Sequence, residues 1–330
     1  MPVYDRNGLV LGRAFDLHGA VMSTVYDVYG NVISESSESI LVPVDRPLTI
    51  MSYNVQFWQE ASYNGKASRL DEIFSLHSPD ILGVQEHSTN AKLDGVTPIG
   101  DYLSSRFASV ELGGKTSSGG TTMQVVASRL DLTDATTVYY DESRYHNYQK
   151  MYVKYGGVKI AVFNTHLYWG GNSSNGYGAE TRRVQAEKLF AAAEQEEYAI
   201  IIGDLNVLEK STGSADYINI MKRFVDAGYN CANCTEAAGF LETCFEVNGG
   251  VFETFPTDNI ITSHNIRIDE VVVDYTKNNG VRPTTAMDHM PLVAKLTVLV
   301  DPAKHENLLD KDGATMLTSD GENILVVKED

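Results

Sequence analysis

The sequence predicts an α+β fold rich in half-buried strands, and three observations lead there. Runs of β-forming apolar residues recur along the middle of the chain, among them Leu48-Thr49-Ile50-Met51, Ile81-Leu82-Gly83-Val84, Val158 to Phe163 and Ala199 to Ile202. Helical patterns over Ser68 to Leu76, Ala179 to Glu196 and Ala215 to Ala227 lie between strand regions. A repeat of short β-units precedes them all.

That repeat occupies the first 46 residues with a period of 11: Val3-Tyr4-Asp5-x-x-Gly8, Ala14-Phe15-Asp16-x-x-Gly19 and Val25-Tyr26-Asp27-x-x-Gly30. Aromatic-Asp-x-x-Gly between β-formers describes a strand, a tight turn opened by Asp and closed by Gly, and a returning strand. So short an arm buries little by itself, so it is expected to pack on the main domain, on another copy or on a protein partner. The Ser/Glu-rich stretch from Ser34 to Ser39 reads as a linker, and Pro43 and Pro47 bracket the start of the main domain.

Within the main domain, Ser68 is placed to cap a helix with a Leu70/Ile73/Phe74 stripe. Gly156-Gly157 would turn Val153 to Phe163 into a hairpin with tyrosines on its half-buried face. After Val300, Leu309-Asp310-Lys311-Asp312-Gly313 and Thr318-Ser319-Asp320-Gly321 flank short apolar runs, which makes the tail hairpin-like and a candidate partner for the arm. Asp310 and Asp312 lack the later acidic ligands of a calcium loop. The expected division is an arm and linker over 1–46, a main domain over 47–300 and a tail over 301–330.

A length of 330 residues with 43% hydrophobic content suits one large domain with appendages or two medium ones. No apolar run approaches the ~20 residues of a membrane helix, and Met1-Pro2-Val3-Tyr4-Asp5 lacks the basic start and apolar stretch of a secretion signal. The expectation is a cytoplasmic protein, or part of a particle assembled in the cytoplasm. Cys231, Cys234 and Cys244 have no nearby His or Cys to complete a zinc site, so free thiols or one local disulfide are expected.

The net charge of -18, from 26 basic and 44 acidic residues, argues against a protein that coats nucleic acid with its whole surface. The acids are unevenly spread. None occurs from Ser143 to Ala179, where Arg144, Lys150, Lys154 and Lys159 alternate with Tyr145, Tyr148, Tyr152 and Tyr155, followed by Tyr168 and Trp169. A second acid-free stretch, Leu112 to Leu130, carries Lys115 and Arg129. Such gaps suit a polyanion, with Arg129, Arg144, Lys150 and Lys154 as candidate phosphate contacts and Tyr168 and Trp169 able to stack on bases. They suit equally a hairpin with one tyrosine-lined face.

Five separated segments carry acid, amide or imidazole groups to what read as strand ends: Tyr53-Asn54, Gln85-Glu86-His87, Asn164-Thr165-His166, Gly203-Asp204-Leu205-Asn206, and Asp288-His289 with Asp269 upstream. A core strand that stops at such a residue delivers it to the rim of a sheet, and five in series point to one site.

The order and spelling of Asp80-Ile81-Leu82-Gly83-Val84-Gln85-Glu86, Asn164-Thr165-His166-Leu167, Gly203-Asp204-Leu205-Asn206, Arg267-Ile268-Asp269 and Asp288-His289-Met290-Pro291 resemble the endonuclease/exonuclease/phosphatase superfamily. That superfamily includes deoxyribonuclease I, neutral sphingomyelinases and inositol polyphosphate 5-phosphatases, and the resemblance extends over roughly residues 47 to 300. It implies a four-layer α/β sandwich of two facing mixed β-sheets flanked by helices, with a site at one end that cleaves a phosphate ester with metal assistance. Asn54 and Glu86 are implied as the main metal ligands, with Asp288 as a further or water-mediated one. An oxygen set that leaves coordination incomplete suits Mg²⁺, with Mn²⁺ or Ca²⁺ as alternatives. His289 is the implied proton handler with Asp269 as its partner, Asp204 the competing base, Asn206 a phosphate or Asp204 contact, and His166 a donor to a nonbridging oxygen.

The chain departs from the superfamily pattern in places. Met287 stands where Ser is usual before Asp-His, and Glu270 follows Asp269 where Tyr or His is common. His166 separates it from the exonuclease III-like branch, where tyrosine is expected. The leading expectation is a deoxyribonuclease I-like nuclease acting on nucleic acid. One alternative is a lipid or inositol phosphate hydrolase of the sphingomyelinase type, with Phe57-Trp58 and Tyr168-Trp169 as an apolar mouth. The other is a structural or assembly protein, for example of a phage particle, that self-assembles through residues 1–46 and 301–330 and carries a weak hydrolase domain.

Overall fold

A computed structural model describes residues 3–4, 10–11, 24–26, 32–35, 42–44, 46–55, 66–87, 92–93, 97–116, 124–141, 145–170, 177–208, 213–233, 240–248, 251–274 and 288–300. The chain forms two compact units, Met1–Pro43 with Leu299–Asp330, and Val44–Val298. In the first unit β1 (Val3–Tyr4) pairs antiparallel with β2 (Val10–Leu11), and β3 (Thr24–Tyr26) with β4 (Val32–Glu35). These pairs coincide with the first and third copies of the repeat; the copy around Phe15 lies outside the described residues. β5 (Val42–Pro43) pairs with Leu299 and Val300, the last residues of β21 (Leu292–Val300). The tail after Val300, with its expected hairpins, also lies outside the described residues.

The second unit is built on two sheets. The first runs β10 (Ser109–Leu112), β11 (Gln124–Ser128), β7 (Ile81–Gln85), β6 (Leu48–Asn54), β21 and β20 (Ile266–Val273). The second runs β12 (Thr133–Tyr139), β13 (Asn147–Tyr155), β14 (Val158–His166), β15 (Ala199–Asp204), β19 (Asp258–Thr262) and β16 (Asn230–Cys231). The hairpins β8–β9 (Lys92–Leu93, Thr97–Pro98) and β17–β18 (Cys244–Asn248, Val251–Phe255) stand apart from both.

Strand alternation explains the layering, because successive side chains point to opposite faces. Met51, Tyr53, Leu82 and Val84 pack with Leu70, Ile73 and Phe74 of α1 (Lys66–His77) and with Tyr102 and Leu103 of α2 (Ile99–Ser104). Ala161, Phe163, Ala199 and Ile201 pack with Ala186 and Leu189 of α3 (Tyr177–Ala193) and Phe224 of α4 (Lys222–Asp226). The alternate residues face the opposite sheet. At Gly83 the sheets approach so closely that a Cβ would lie 2.6 Å from Ile202, so only glycine fits. The second unit is thus a four-layer α/β sandwich.

β6 and β7 are parallel, joined through α1, and β14 and β15 are parallel, joined through α3. Parallel strands need such crossovers, and each crossover brings two strand C-termini to the same edge of its sheet. Asn54 lies opposite Gln85 in one sheet and His166 opposite Asp204 in the other.

Two local expectations change. The first helix spans Lys66–His77, so Ser68 falls within it and not ahead of it. The pattern from Ala215 to Ala227 forms a π turn over Tyr217–Met221 before α4. The widened turn starts directly after Asp216, whose carboxylate is held by Arg182 and the Leu208 amide.

Candidate active site

The inward-facing ends of β6, β14 and β15 carry Asn54, His166 and Asp204, all buried. The Asn54 amide nitrogen donates to Glu86 Oε1, just past the neighbouring strand of its own sheet, at 3.1 Å, and across the sheets to Asp204 Oδ2 at 3.0 Å. One neutral side chain therefore ties together two acids from different sheets. Asp204 Oδ1 accepts the Asn206 backbone N–H at 2.9 Å, and the Asn206 side chain donates to the Leu167 carbonyl at 2.9 Å. Glu86 and Asn206 both sit just past a strand in the left-handed backbone region, with φ of 54° and 52°. Non-glycine residues hold that conformation at a cost of about 1 kcal/mol or more, and such strain collects at functional sites.

Asp204 is flanked by two imidazoles, His166 Nε2 at 3.5 Å and His289 Nε2 at 3.6 Å from Oδ2. His289 Nδ1 donates to Asp258 Oδ2 at 2.8 Å, and its Nε2 lies 3.9 Å from Asp288 Oδ1. Burial alone would raise the Asp204 carboxyl, but His166, His289 and the Asn54 amide outweigh it and hold it below the usual carboxylate range. Burial alone would lower the His289 imidazole, yet the neighbouring Cys244, Asp258 and Asp204 raise it well above its ordinary value. The arrangement keeps Asp204 ionised and His289 protonated.

Asp204, Asp258 and His289 also place one ligand-type atom each within 4.8 Å of one another. The His289–Asp258 hydrogen bond occupies Nδ1, so these three form an acid–imidazole–acid relay and not a metal cage. The oxygen donors for a divalent cation are elsewhere. Glu86 Oε2 is buried without a hydrogen-bond partner while Oε1 is held by Asn54. A buried anionic oxygen left without a donor, beside a neutral amide, fits a hard, oxygen-seeking ion.

The partner of His289 is Asp258 and not Asp269. Asp269 sits in β20, where the register with β21 slips between Ile268 and Glu270, so it is the extra residue of a bulge. Its carboxylate is taken by Arg267 Nε at 2.6 Å and Thr297 Oγ1 at 2.5 Å. Glu270 pairs with Lys295 across the strands. Asp258 was legible only as the first residue of an apolar strand, Asp258-Asn259-Ile260-Ile261-Thr262. Because β19 runs antiparallel to β15, it begins where β15 ends, and Asp258 lies directly opposite Asp204. His146, also not singled out by the sequence, is buried with its ring 5.8 Å edge-on to His166 and donates through Nδ1 to the His166 carbonyl at 3.2 Å.

Among the described residues, the basic side chains expected to contact a polyanion do not gather here. Lys154 lies opposite Lys159 at the start of β14, seven strand positions from His166, roughly 23 Å away. Arg129 is exposed and follows Ser128, which pairs with Ile81 at the start of β7, whereas Glu86 follows the end of that strand. Lys150 Nζ is paired with Glu196 Oε1 at 2.5 Å. Arg144, Met287, Phe57, Trp58 and Cys234 lie outside the described residues. Tyr168 and Trp169 lie two and three residues after His166, their rings stack at 6.3 Å and 26°, and Trp169 is 68% exposed. Cys231 and Cys244 are free, and Cys244 forms a β-bridge with His289.

A two-sheet sandwich with an acid–amide pair, an ionised aspartate and an Asp–His pair at the strand ends defines a phosphoester hydrolase. Residues 51–279 match the Endonuclease/Exonuclease/phosphatase family, and the chain belongs to that family of metal-dependent phosphoester hydrolases, whose enzymes use divalent metals. No curated protein matches the sequence. The fold is similar to that of an endonuclease/exonuclease/phosphatase from Beutenbergia cavernae, at TM-score 0.57 and 15% identity over 77% of this chain and 72% of that one. It is similar to truncated Caenorhabditis elegans TDP2 at TM-score 0.55 and 18% identity, over 76% of this chain and 97% of that one. A Bacteroides thetaiotaomicron family protein gives TM-score 0.54 and 15% identity, over 78% and 98%.

Proposed function

We propose that this protein is a Mg²⁺-dependent phosphodiesterase that acts on nucleic acid, with a water activated at Asp204. The observation that carries the chemistry is the Asn54 amide shared between Glu86 and Asp204, which sets a cation-binding acid beside an ionised base. Asn54 and Glu86 would hold the ion, with Asp288 nearby, and the ion would neutralise charge on the phosphate. Asp204, kept ionised and oriented by the Asn206 N–H, accepts the proton of the attacking water. His289, protonated and braced by Asp258, donates to a phosphate oxygen where charge builds, and His166 donates to a second oxygen.

The preference for nucleic acid rests on the exposed Trp169, three residues after His166, since bases stack on aromatic rings whatever their sequence. The acidic chain, with Arg129 and Lys154 far from the site, suits a short or single-stranded substrate held by stacking better than a long duplex held by its phosphates. The purified chain assayed with plasmid DNA, single-stranded DNA, RNA and sphingomyelin, in Mg²⁺ and in chelator, tests both parts. Metal-dependent cleavage of single strands supports the proposal. Turnover of sphingomyelin alone would replace it with the lipid reading, and undiminished activity in chelator would overturn the metal mechanism.

A further inference from the structure

Arg182 is fully buried in α3, with Asp216 equally buried opposite it. Its Nε and one Nη donate to Asp216 Oδ1 at 3.2 and 2.9 Å. The other Nη donates to the carbonyls of Tyr168 at 3.1 Å and Gly170 at 2.8 Å, the two residues that flank Trp169. One turn further along α3, Gln185 Oε1 accepts the Tyr168 N–H at 2.7 Å. Both peptide groups of Tyr168 are therefore fixed from the helix.

The same ion pair reaches the neighbouring loop. Asp216 Oδ2 accepts the Leu208 N–H at 3.3 Å, and Asn206 donates to the Leu167 carbonyl at 2.9 Å. The loops after His166 and after Asp204 are thus closed into one hydrogen-bonded ring through Arg182 and Asp216. Gly170 belongs to the device as well, because a Cβ there would lie 2.3 Å from the Tyr168 ring. Rings then run outward in sequence, His166 to His146 at 5.8 Å, His146 to Tyr168 at 5.5 Å and Tyr168 to Trp169 at 6.3 Å.

A buried ion pair contributes little net stability, because desolvation offsets the attraction and an apolar pair of equal volume often does as well. Arginine offers a planar fork of donors that serves several acceptors at fixed angles, which lysine cannot reproduce. We propose that Arg182 is a positioning residue for substrate recognition: through the Tyr168 and Gly170 carbonyls it sets the Trp169 ring, at the outer end of the ring series that starts at His166, as a stacking platform for a nucleobase of the bound strand. This rests on the nucleic-acid reading given above.

The test uses the full chain with Trp58→Phe, which leaves Trp169 as the sole tryptophan of the two. Arg182→Lys keeps a cation against Asp216 but cannot bridge both carbonyls. It should lower the anisotropy of Trp169 emission and raise KM for a short single-stranded oligonucleotide about tenfold, the scale of one lost base stack, with kcat nearly unchanged. Added to Trp169→Ala, Arg182→Lys should raise KM no further. If Arg182→Lys does not fold, Asp216→Asn takes its place, since it keeps the shape and weakens the anchor. Wild-type anisotropy and KM, or KM losses that add to those of Trp169→Ala, would overturn the proposal. If the parent protein cleaves no oligonucleotide, the nucleic-acid reading fails, and the anisotropy alone decides whether Arg182 holds the ring.

Discussion

Asp204 and Asp258 lie directly opposite each other in adjacent antiparallel strands, and the His289 imidazole reaches both, at 3.6 Å through Nε2 and 2.8 Å through Nδ1. Two buried acids at such a position would repel if both were ionised and unpaired. The protonated ring between them removes that conflict and leaves Asp204 as the carboxylate facing the site.

Asp258→Asn should therefore reduce kcat by on the order of 10³-fold or more, as when the acid orienting a catalytic histidine is lost. Asp269→Asn, in the bulge of β20, should remain within a few fold of the parent. Steady-state rates for the two variants side by side check the assignment, and the opposite ranking would return the partner role to Asp269.

Glu86→Ala should cut metal-dependent turnover by at least about 10²-fold, since charge neutralisation at the phosphate is worth several kcal/mol. Its Oε2 makes no hydrogen bond, and the Asn54 amide that serves its Oε1 keeps Asp204 as an acceptor, so the melting temperature should hardly move. Calorimetric titration of Mg²⁺ gives a readout apart from activity, and unchanged Mg²⁺ binding by the variant would place the ion elsewhere.

Lys154→Ala and Arg129→Ala should leave KM and its salt dependence for an oligonucleotide unchanged, because both residues lie at the far edge of their sheets. Trp169→Ala should raise KM about tenfold. A flattened salt slope in the lysine or arginine variant would put the phosphate path on that distant face.

Burial, with His166 adding to it, lowers the His146 imidazole to about 4, against about 6.5 in an unfolded chain. Between those values the unfolded state binds a proton that the folded state refuses, so its contribution is full above about pH 6.5 and is lost as pH falls toward about 4. His146→Gln, which can still donate to the His166 carbonyl, should flatten the pH dependence of the urea midpoint in that window. Parallel profiles for variant and parent would show that His146 is not the group responsible.

A fragment of residues 44–300 should keep divalent-metal-dependent turnover, because Asn54, Glu86, His166, Asp204, Asp258 and His289 all belong to the Val44–Val298 unit. Activity per folded molecule, measured beside the full chain, checks this. A folded but inactive fragment would mean that the terminal unit supplies part of the site.

The sequence by itself determined the layered α+β class, the strand ends that carry Asn54, Glu86, His166, Asp204 and His289, and the family. It could do so because alternation of apolar residues is a local property, and a polar residue closing an apolar strand is readable from its neighbours. Only the tertiary structure decided which acid braces His289, because Asp258 and Asp269 both stand in β-strands, and the choice depends on strand direction and on a bulge that no local pattern reveals. It alone placed Lys154 and Arg129 away from the site, since a strand carries its two ends to opposite edges whatever the charge along it. It alone joined Arg182 to Asp216 and to the Trp169 loop, because a buried ion pair between distant residues leaves no local period in the chain, and its register is set by packing.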